Sequence, residues 1–226
     1  MFAPFTRSYI EKYSFDVLRN IIGCGLPSCP ICNTQPAFFR RHQARPRKFR
    51  ILCDALVQVV KCLVIRWKCP GCNKTFTQQP PFGLPHKRYT SDTILDRSGW
   101  YLEDKTATYR KTVLEKGIEI FHASTDKGNT PVDKVLSHTT PYRWISTLGG
   151  FKEIPRRALD ILLQKDPTTK VCRDLAALRI SPDKFVKVAR EGTLKRSRRL
   201  IHLEAVFRVV FHASIFPFFA TGCAWR

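Results

Sequence analysis

Two short turns in the chain carry the residues most suited to chemistry: Leu26-Pro27-Ser28-Cys29-Pro30-Ile31-Cys32 and Cys69-Pro70-Gly71-Cys72-Asn73-Lys74-Thr75-Phe76. A Cys-x-x-Cys turn aims two thiolates at one ion while backbone N–H groups face the sulfurs. Two such turns complete a closed tetrahedral set, which suits a structural Zn2+, one per chain. The same thiols could serve an iron–sulfur centre or a redox dithiol. A redox dithiol needs its first cysteine at a helix N-terminus in a βαβ setting, and neither turn has that setting. Cys24 lies near enough to replace Cys29 as a ligand. Gly71 inside the second turn is expected to ease tight backbone geometry. Cys53 and Cys62 sit in apolar, strand-like context and read as buried free thiols, while Cys172 and Cys223 are singletons.

The second feature is charge. The 226 residues carry 39 Lys/Arg against 18 Asp/Glu, a formal +21, and 43% of the residues are apolar, enough for folded cores. Residues 1–90 hold 15 Lys/Arg against 3 Asp/Glu. The block Arg40-Arg41-His42-Gln43-Ala44-Arg45-Pro46-Arg47-Lys48-Phe49-Arg50 has seven basic residues in eleven, and Lys87-Arg88 adds a second cluster. So one-sided a surface suits a polyanionic partner, and arginine's planar fork suits phosphate. Arg40, Arg41, Arg45, Arg47, Lys48, Arg50, Lys87 and Arg88 are therefore candidate phosphate contacts. Exposed aromatics on a sheet could instead stack unpaired RNA bases, with Phe38, Phe39 and Phe49 as candidates. An adaptor gripping another protein is the remaining alternative.

These residues need elements to position them. Strand-like stretches occur at 37–40, 48–52 and 59–68, the last running into the second thiol turn. A hairpin bridging the two turns would make a zinc ribbon, with the basic block as its rim. Residues 1–20 form an arm or short helix, and Gln79–Pro85 reads as a linker wrapped on the ribbon. Beyond it the pattern is helical. Apolar residues at 101, 102, 109, 113 and 114 suggest a helix over 101–115 closed by Gly117. Val132, Val135 and Leu136 begin a short helix, a turn follows at Ser137-His138, and a second helix runs from Thr140 to Gly149-Gly150, with Pro141 at its start. That pair has helix-turn-helix form. On its second helix Trp144, Ile145 and Leu148 share one side, and Thr139, Thr140 and Arg143 face another, where they could touch phosphates or base edges. Pro155 opens a further helix with Ala158, Ile161 and Leu162 on one face. Ser181-Pro182 starts another, and 194–216 is a long helix expected to dock on the body or on a partner subunit.

The expected fold is α+β: an arm (1–21), a four-cysteine zinc ribbon with small antiparallel β structure (22–90), a helix-turn-helix (91–150) and a C-terminal helical region (151–226). The first 20 residues contain no apolar run of signal-peptide length, and charges and Pro217 interrupt the apolar stretch 201–220. A cytoplasmic, nucleoid-associated protein without stable membrane association is expected.

The thiol turns, the basic block, Ile65-Arg66-Trp67-Lys68, the 84–90 segment and Tyr142-Arg143-Trp144-Ile145 together resemble the front half of zinc-finger-headed insertion-sequence transposases. They also resemble small mobile-element proteins that share only that half. The resemblance covers roughly residues 22–150. It implies that Cys29, Cys32, Cys69 and Cys72 ligate zinc, that Trp67 and Phe76 pack the ribbon, that 139–143 enter a groove of double-stranded DNA, and that a transposase or other subunit is a partner. The acidic-triad nuclease of those transposases needs three carboxylates on a mixed sheet holding two metal ions. Only 76 residues follow the helix pair, and Glu153, Asp160, Asp166, Asp174, Asp183, Glu191 and Glu204 form no strand-borne set. No phosphate-binding glycine loop occurs either. The chain is expected not to be an enzyme.

Overall fold

The computed structural model describes residues 4–123, 135–167, 170 and 188–216. They include helices α1 (Arg7–Leu18), α2 (Ser91–Glu103), α3 (Thr139–Gly150), α4 (Glu153–Lys165) and α5 (Val188–Phe211), with strands β1 (Arg40–Cys53), β2 (Leu56–Lys68), β3 (Thr75–Gln78), β4 (Leu114–Glu115), β5 (Ile118–Glu119) and β6 (Phe121–His122). The fold class is α+β. The chain divides into two compact units. A ribbon unit contains 4–51 and 59–91 together with Ser214–Phe216, and a helical unit contains 52–58 and 92–213.

In the ribbon unit β1, β2 and β3 are neighbours in that order, and β2 pairs antiparallel with β3, placing Trp67 opposite Phe76. β1 is a single strand through the whole basic block, where separate strands at 37–40 and 48–52 were expected. Pro36 starts a 3-10 turn over 36–38 instead. Pro46 interrupts nothing because β1 lies at the sheet edge, where a residue without an N–H leaves no ladder bond unmade.

The N-terminal residues fold as α1. Thr6 caps it by accepting from the Tyr9 N–H, and Ile10, Tyr13 and Val17 are its buried face. Ser14 Oγ accepts the Leu63 N–H at 3.1 Å, tying α1 to β2. The irregular 79–85 segment does wrap the ribbon. Phe82 is fully buried, and the rings of Phe5, Tyr9, Tyr13 and Phe49 surround it at centroid distances of 5.0–6.1 Å.

The helical unit corrects two expectations. The helix expected at 101–115 does not form: α2 ends at Glu103, with Ile94, Leu95, Ser98, Tyr101 and Leu102 as its buried stripe, while Val113 lies in a 3-10 turn and Leu114 in β4. α2 ends where the Asp104 carboxylate accepts from the Trp100 indole and from the Thr106 N–H at 2.7 Å, a local bond that competes with helix continuation. Gly117 caps no helix. Lys116 and Gly117, at φ 49° and 84°, make the tight turn between the antiparallel strands β4 and β5.

The second correction concerns the helix pair. Val135 bridges antiparallel to Phe121, and the Leu136 N–H donates to the Ile120 carbonyl at 2.7 Å, so both are extended where the first helix was expected. The available strand edge at 120–121 outcompetes a short helix. Val132, Ser181-Pro182, Cys172 and Cys223 lie outside the described residues. α3 keeps its expected sides, with Trp144, Ile145 and Leu148 buried. α4 buries Ile154, Ala158 and Leu162, with Ile161 half-buried.

α5 packs closely on α3. A Cβ at Gly149 would strike the Thr193 carbonyl and lie 2.7 Å from Thr193 Cγ2. Ser197 Oγ donates to the Ile145 carbonyl at 2.7 Å, and Arg196 Nε to that of Gly149 at 2.7 Å. Gly149 thus belongs to a helix crossing as well as to a helix end. α5 starts earlier than the expected 194 and buries Leu200, Ile201, Leu203 and Phe207. Among the described residues no helix is long and apolar enough to cross a membrane.

Candidate metal centre and basic surfaces

The two thiol turns are built alike. The Cys29 N–H donates to the Thr34 carbonyl and the Asn33 N–H to the Cys29 carbonyl, both at 2.9 Å. Cys69, Lys74 and Asn73 repeat the pattern at 2.9 Å for both bonds. Each turn exits through an asparagine in the left-handed region, Asn33 at φ 55° and Asn73 at φ 58°. Asparagine tolerates that region better than other non-glycine residues. The asparagine after each Cys-Pro-x-Cys was a sequence signal that reasoning from the thiols alone passed over.

The turns bring Cys29, Cys32, Cys69 and Cys72 together, with all four sulfurs within 4.8 Å of one another. The close pairs cross between turns: Cys29 Sγ to Cys72 Sγ is 3.5 Å, and Cys32 Sγ to Cys69 Sγ is 3.4 Å. A tetrahedral zinc with bonds of about 2.3 Å sets its sulfurs about 3.8 Å apart. Donor chemistry and spacing both fit, and the four cysteines form a structural zinc site, one per chain. Cys24 stands outside the set, so Cys29 is the ligand.

Local hydrogen bonding acts differently on three of the thiols. Burial would push the Cys69 thiol up, yet N–H groups of Cys72 and Gly71 and hydrogen bonds with Thr34 and Cys32 outweigh it and hold it at about 6. Thr34, through its hydroxyl and its backbone, lowers the Cys32 thiol. The Lys74 N–H favours the Cys72 thiolate, but burial and hydrogen bonds with Cys29, Cys69 and Cys32 push this thiol up to about 12. Four thiolates this close repel one another, and a dication at their centre offsets that repulsion.

Gly71 has a reason other than the expected one. Its φ is not positive, so backbone freedom is not what the position needs. A Cβ there would meet Thr34 Oγ1 at 2.5 Å and Cys32 Sγ at 3.0 Å. The second turn must approach the first closely.

Behind the site Phe39 stacks on Phe76 at 5.9 Å, and Trp67 and Phe76 are buried. Gln78, buried, accepts the Trp67 indole N–H at 2.8 Å and the Gly25 N–H at 3.0 Å, and donates to the Gly23 carbonyl. This amide locks the segment before the first turn onto the sheet. Cys62 is buried, and burial pushes its thiol up to about 11. Cys53, expected to be buried, is half-exposed beside the β1–β2 turn.

The basic residues divide by direction. Arg40, Arg45, Lys48 and Arg88 are exposed, as is His42. Arg41, Arg47, Arg50 and Lys87 are half-buried. Arg41 donates to Asn20 Oδ1 and to the Val17 carbonyl. Arg47 donates to Gln79 Oε1 at 2.9 Å and to the Lys87 carbonyl at 2.7 Å. Arg50 lies over the Tyr89 ring at 5.5 Å. Of the aromatics considered for base stacking, Phe38 is 63% exposed, whereas Phe39 and Phe49 are buried. On α3, Thr139, Tyr142 and Arg143 are exposed and Thr140 is half-buried. Comparison with protein-family models, with curated proteins and with solved structures returned no match.

Proposed function

We propose that the protein is a zinc-stabilised, non-catalytic DNA-binding protein that grips duplex DNA through the exposed basic edge of its ribbon and selects sequence through α3. The observation that carries this reading is the run Arg40, His42, Arg45 and Lys48, exposed along an edge strand that begins just after the first zinc turn. An edge strand ordered on a metal-held scaffold presents phosphate-binding groups with little ordering cost. Arg88 extends that charge. On α3 the exposed Thr139 and Arg143 supply side chains able to reach base edges, with Thr140 beside them. A mobile-element role, recruiting a transposase or regulating one, is the setting that the sequence resemblance suggests.

Binding to duplex DNA, single-stranded DNA and structured RNA of matched length tests the substrate class. Duplex is expected to bind tightest, because of the three aromatics considered for base stacking only Phe38 is exposed. Tighter binding to RNA would put the adaptor reading first. After selection of a preferred site, Arg143→Ala is expected to cost about 1–3 kcal/mol there and much less on scrambled duplex. Equal losses on both would remove α3 as the base reader. Magnesium- or manganese-dependent nicking by the pure protein, abolished by one carboxylate substitution, would overturn the non-catalytic part.

A further inference from the structure

Four arginines of the helical unit are half-buried among the described residues, and three of them are neutralised by a carboxylate. Arg97 pairs with Glu115, Arg198 with Glu103, and Arg208 with the buried Glu204 at 2.6 Å. Arg190, in the first turn of α5, is held by rings instead. Its guanidinium carbon lies 3.7 Å from the Tyr142 ring centroid and 5.2 Å from that of Tyr109, and it donates to the Tyr109 hydroxyl. Tyr109 stacks on Tyr101 at 4.2 Å and meets Tyr142 edge-on at 5.8 Å. Glu191, the adjacent acid, pairs with Lys195. No described carboxylate pairs with Arg190.

Ring faces attract and orient a guanidinium without cancelling its charge. Among the described residues Arg190 is thus a cation with no paired carboxylate, held against the ring of Tyr142, which is 46% exposed on α3 next to the exposed Arg143. A planar fork already oriented by stacking loses little freedom when it meets an anion. We propose that Arg190 is a phosphate contact: with Tyr142 as its platform it binds a backbone phosphate of the nucleic acid that α3 meets. This rests on the reading of α3 as a DNA-facing helix. Arg190 would fix the register of α3 on the backbone and leave base choice to Arg143.

The test uses the full, zinc-loaded chain. Arginine Nε–Hε resonances are followed by 1H–15N spectroscopy as the selected duplex is added, and the Arg190 signal is assigned from its disappearance in Arg190→Lys. The Arg190 and Arg143 signals are both expected to shift. In parallel, Arg190→Gln is expected to flatten the log–log salt dependence by about 0.9 and to weaken duplex binding about fivefold at physiological salt, on preferred and scrambled sites alike. If Arg143 shifts and Arg190 does not, the phosphate contact is wrong while the α3 reading stands. If neither shifts, and wild-type duplex binding is unaffected by Arg143→Ala, both are wrong. The spectra are those of the wild-type chain, so they decide the matter even if Arg190→Gln does not fold.

Discussion

The ribbon unit and the helical unit hold themselves together by different means. In the ribbon unit two turns distant in sequence are joined by four sulfurs, and an aromatic cluster gathers around Phe82. In the helical unit α3 and α5 approach until a glycine is needed at their crossing, and three of the four described half-buried arginines are matched by carboxylates. Acids are scarce in the ribbon unit's stretch of sequence, so its inward arginines use carbonyls and amides: Arg41 the Val17 carbonyl, Arg47 Gln79 and the Lys87 carbonyl. Residues 1–90 hold 15 Lys/Arg against 3 Asp/Glu, whereas residues 92–213 hold 23 against 15, so the helical stretch is basic too but far less one-sided.

The sharpest break in that comparison is removal of zinc. Cys69→Ser, or a strong chelator, is expected to release one zinc per chain and unfold the ribbon while α3 and α5 persist, because structural zinc contributes about 10–16 kcal/mol in small metal-dependent folds. Elemental analysis with residue-resolved hydrogen exchange checks it. Loss of protection in both units at once would mean that they are not separate folding units, and a fully folded, metal-free protein would dismiss the zinc scaffold altogether.

The helical unit should break instead at its crossing. Gly149→Val is expected to cost about 1–3 kcal/mol, through overpacking against Thr193, with zinc content unchanged. Thermal or urea unfolding measures the loss. An unchanged midpoint would mean that α5 can move away from α3 at no cost.

A smaller effect separates inward from outward arginines. Arg47→Ala is expected to destabilise the ribbon by about 1–2 kcal/mol, because it leaves Gln79 and the Lys87 carbonyl without their partner. Arg45→Ala should leave stability within about 0.5 kcal/mol of wild type. It should instead flatten the salt dependence of duplex binding by about one unit. Reversal of these two behaviours would show that exposure does not identify the phosphate contacts.

The smallest effect is chemical. Alkylation at pH 8 should modify the half-exposed Cys53 well before Cys62. Burial raises both thiols, and that of Cys62 to about 11. The raised value keeps the folded Cys62 protonated well above its ordinary range. Its contribution to stability is therefore present below about pH 9 and lost as pH rises toward 11. Mass spectrometry of peptides after brief labelling orders the two cysteines, and faster labelling of Cys62 would contradict its burial.

What the amino-acid sequence determined by itself is what depends on neighbours a few residues apart. The two Cys-Pro-x-Cys turns were legible because a knuckle is closed by its own hydrogen bonds, so spacing alone specifies it. The two sides of α3 and the buried stripe of α4 were legible because a helix repeats every 3.6 residues. The wrapped 79–85 segment was legible from prolines that no strand or helix accepts. Tertiary structure decided what depends on partners far along the chain. It chose Cys29 over Cys24, and it turned Arg47 inward toward groups 32 and 40 residues away, though Arg45 beside it is chemically the same. It made Val135 and Leu136 extended because a strand edge at 120–121 was there to pair with them. It gave Gly71 and Gly149 their reasons, since a close approach exists only once two distant segments have met. Local periodicity carries no information about which surface will arrive opposite a residue, and that arrival sets the direction of an arginine and the size allowed to a side chain.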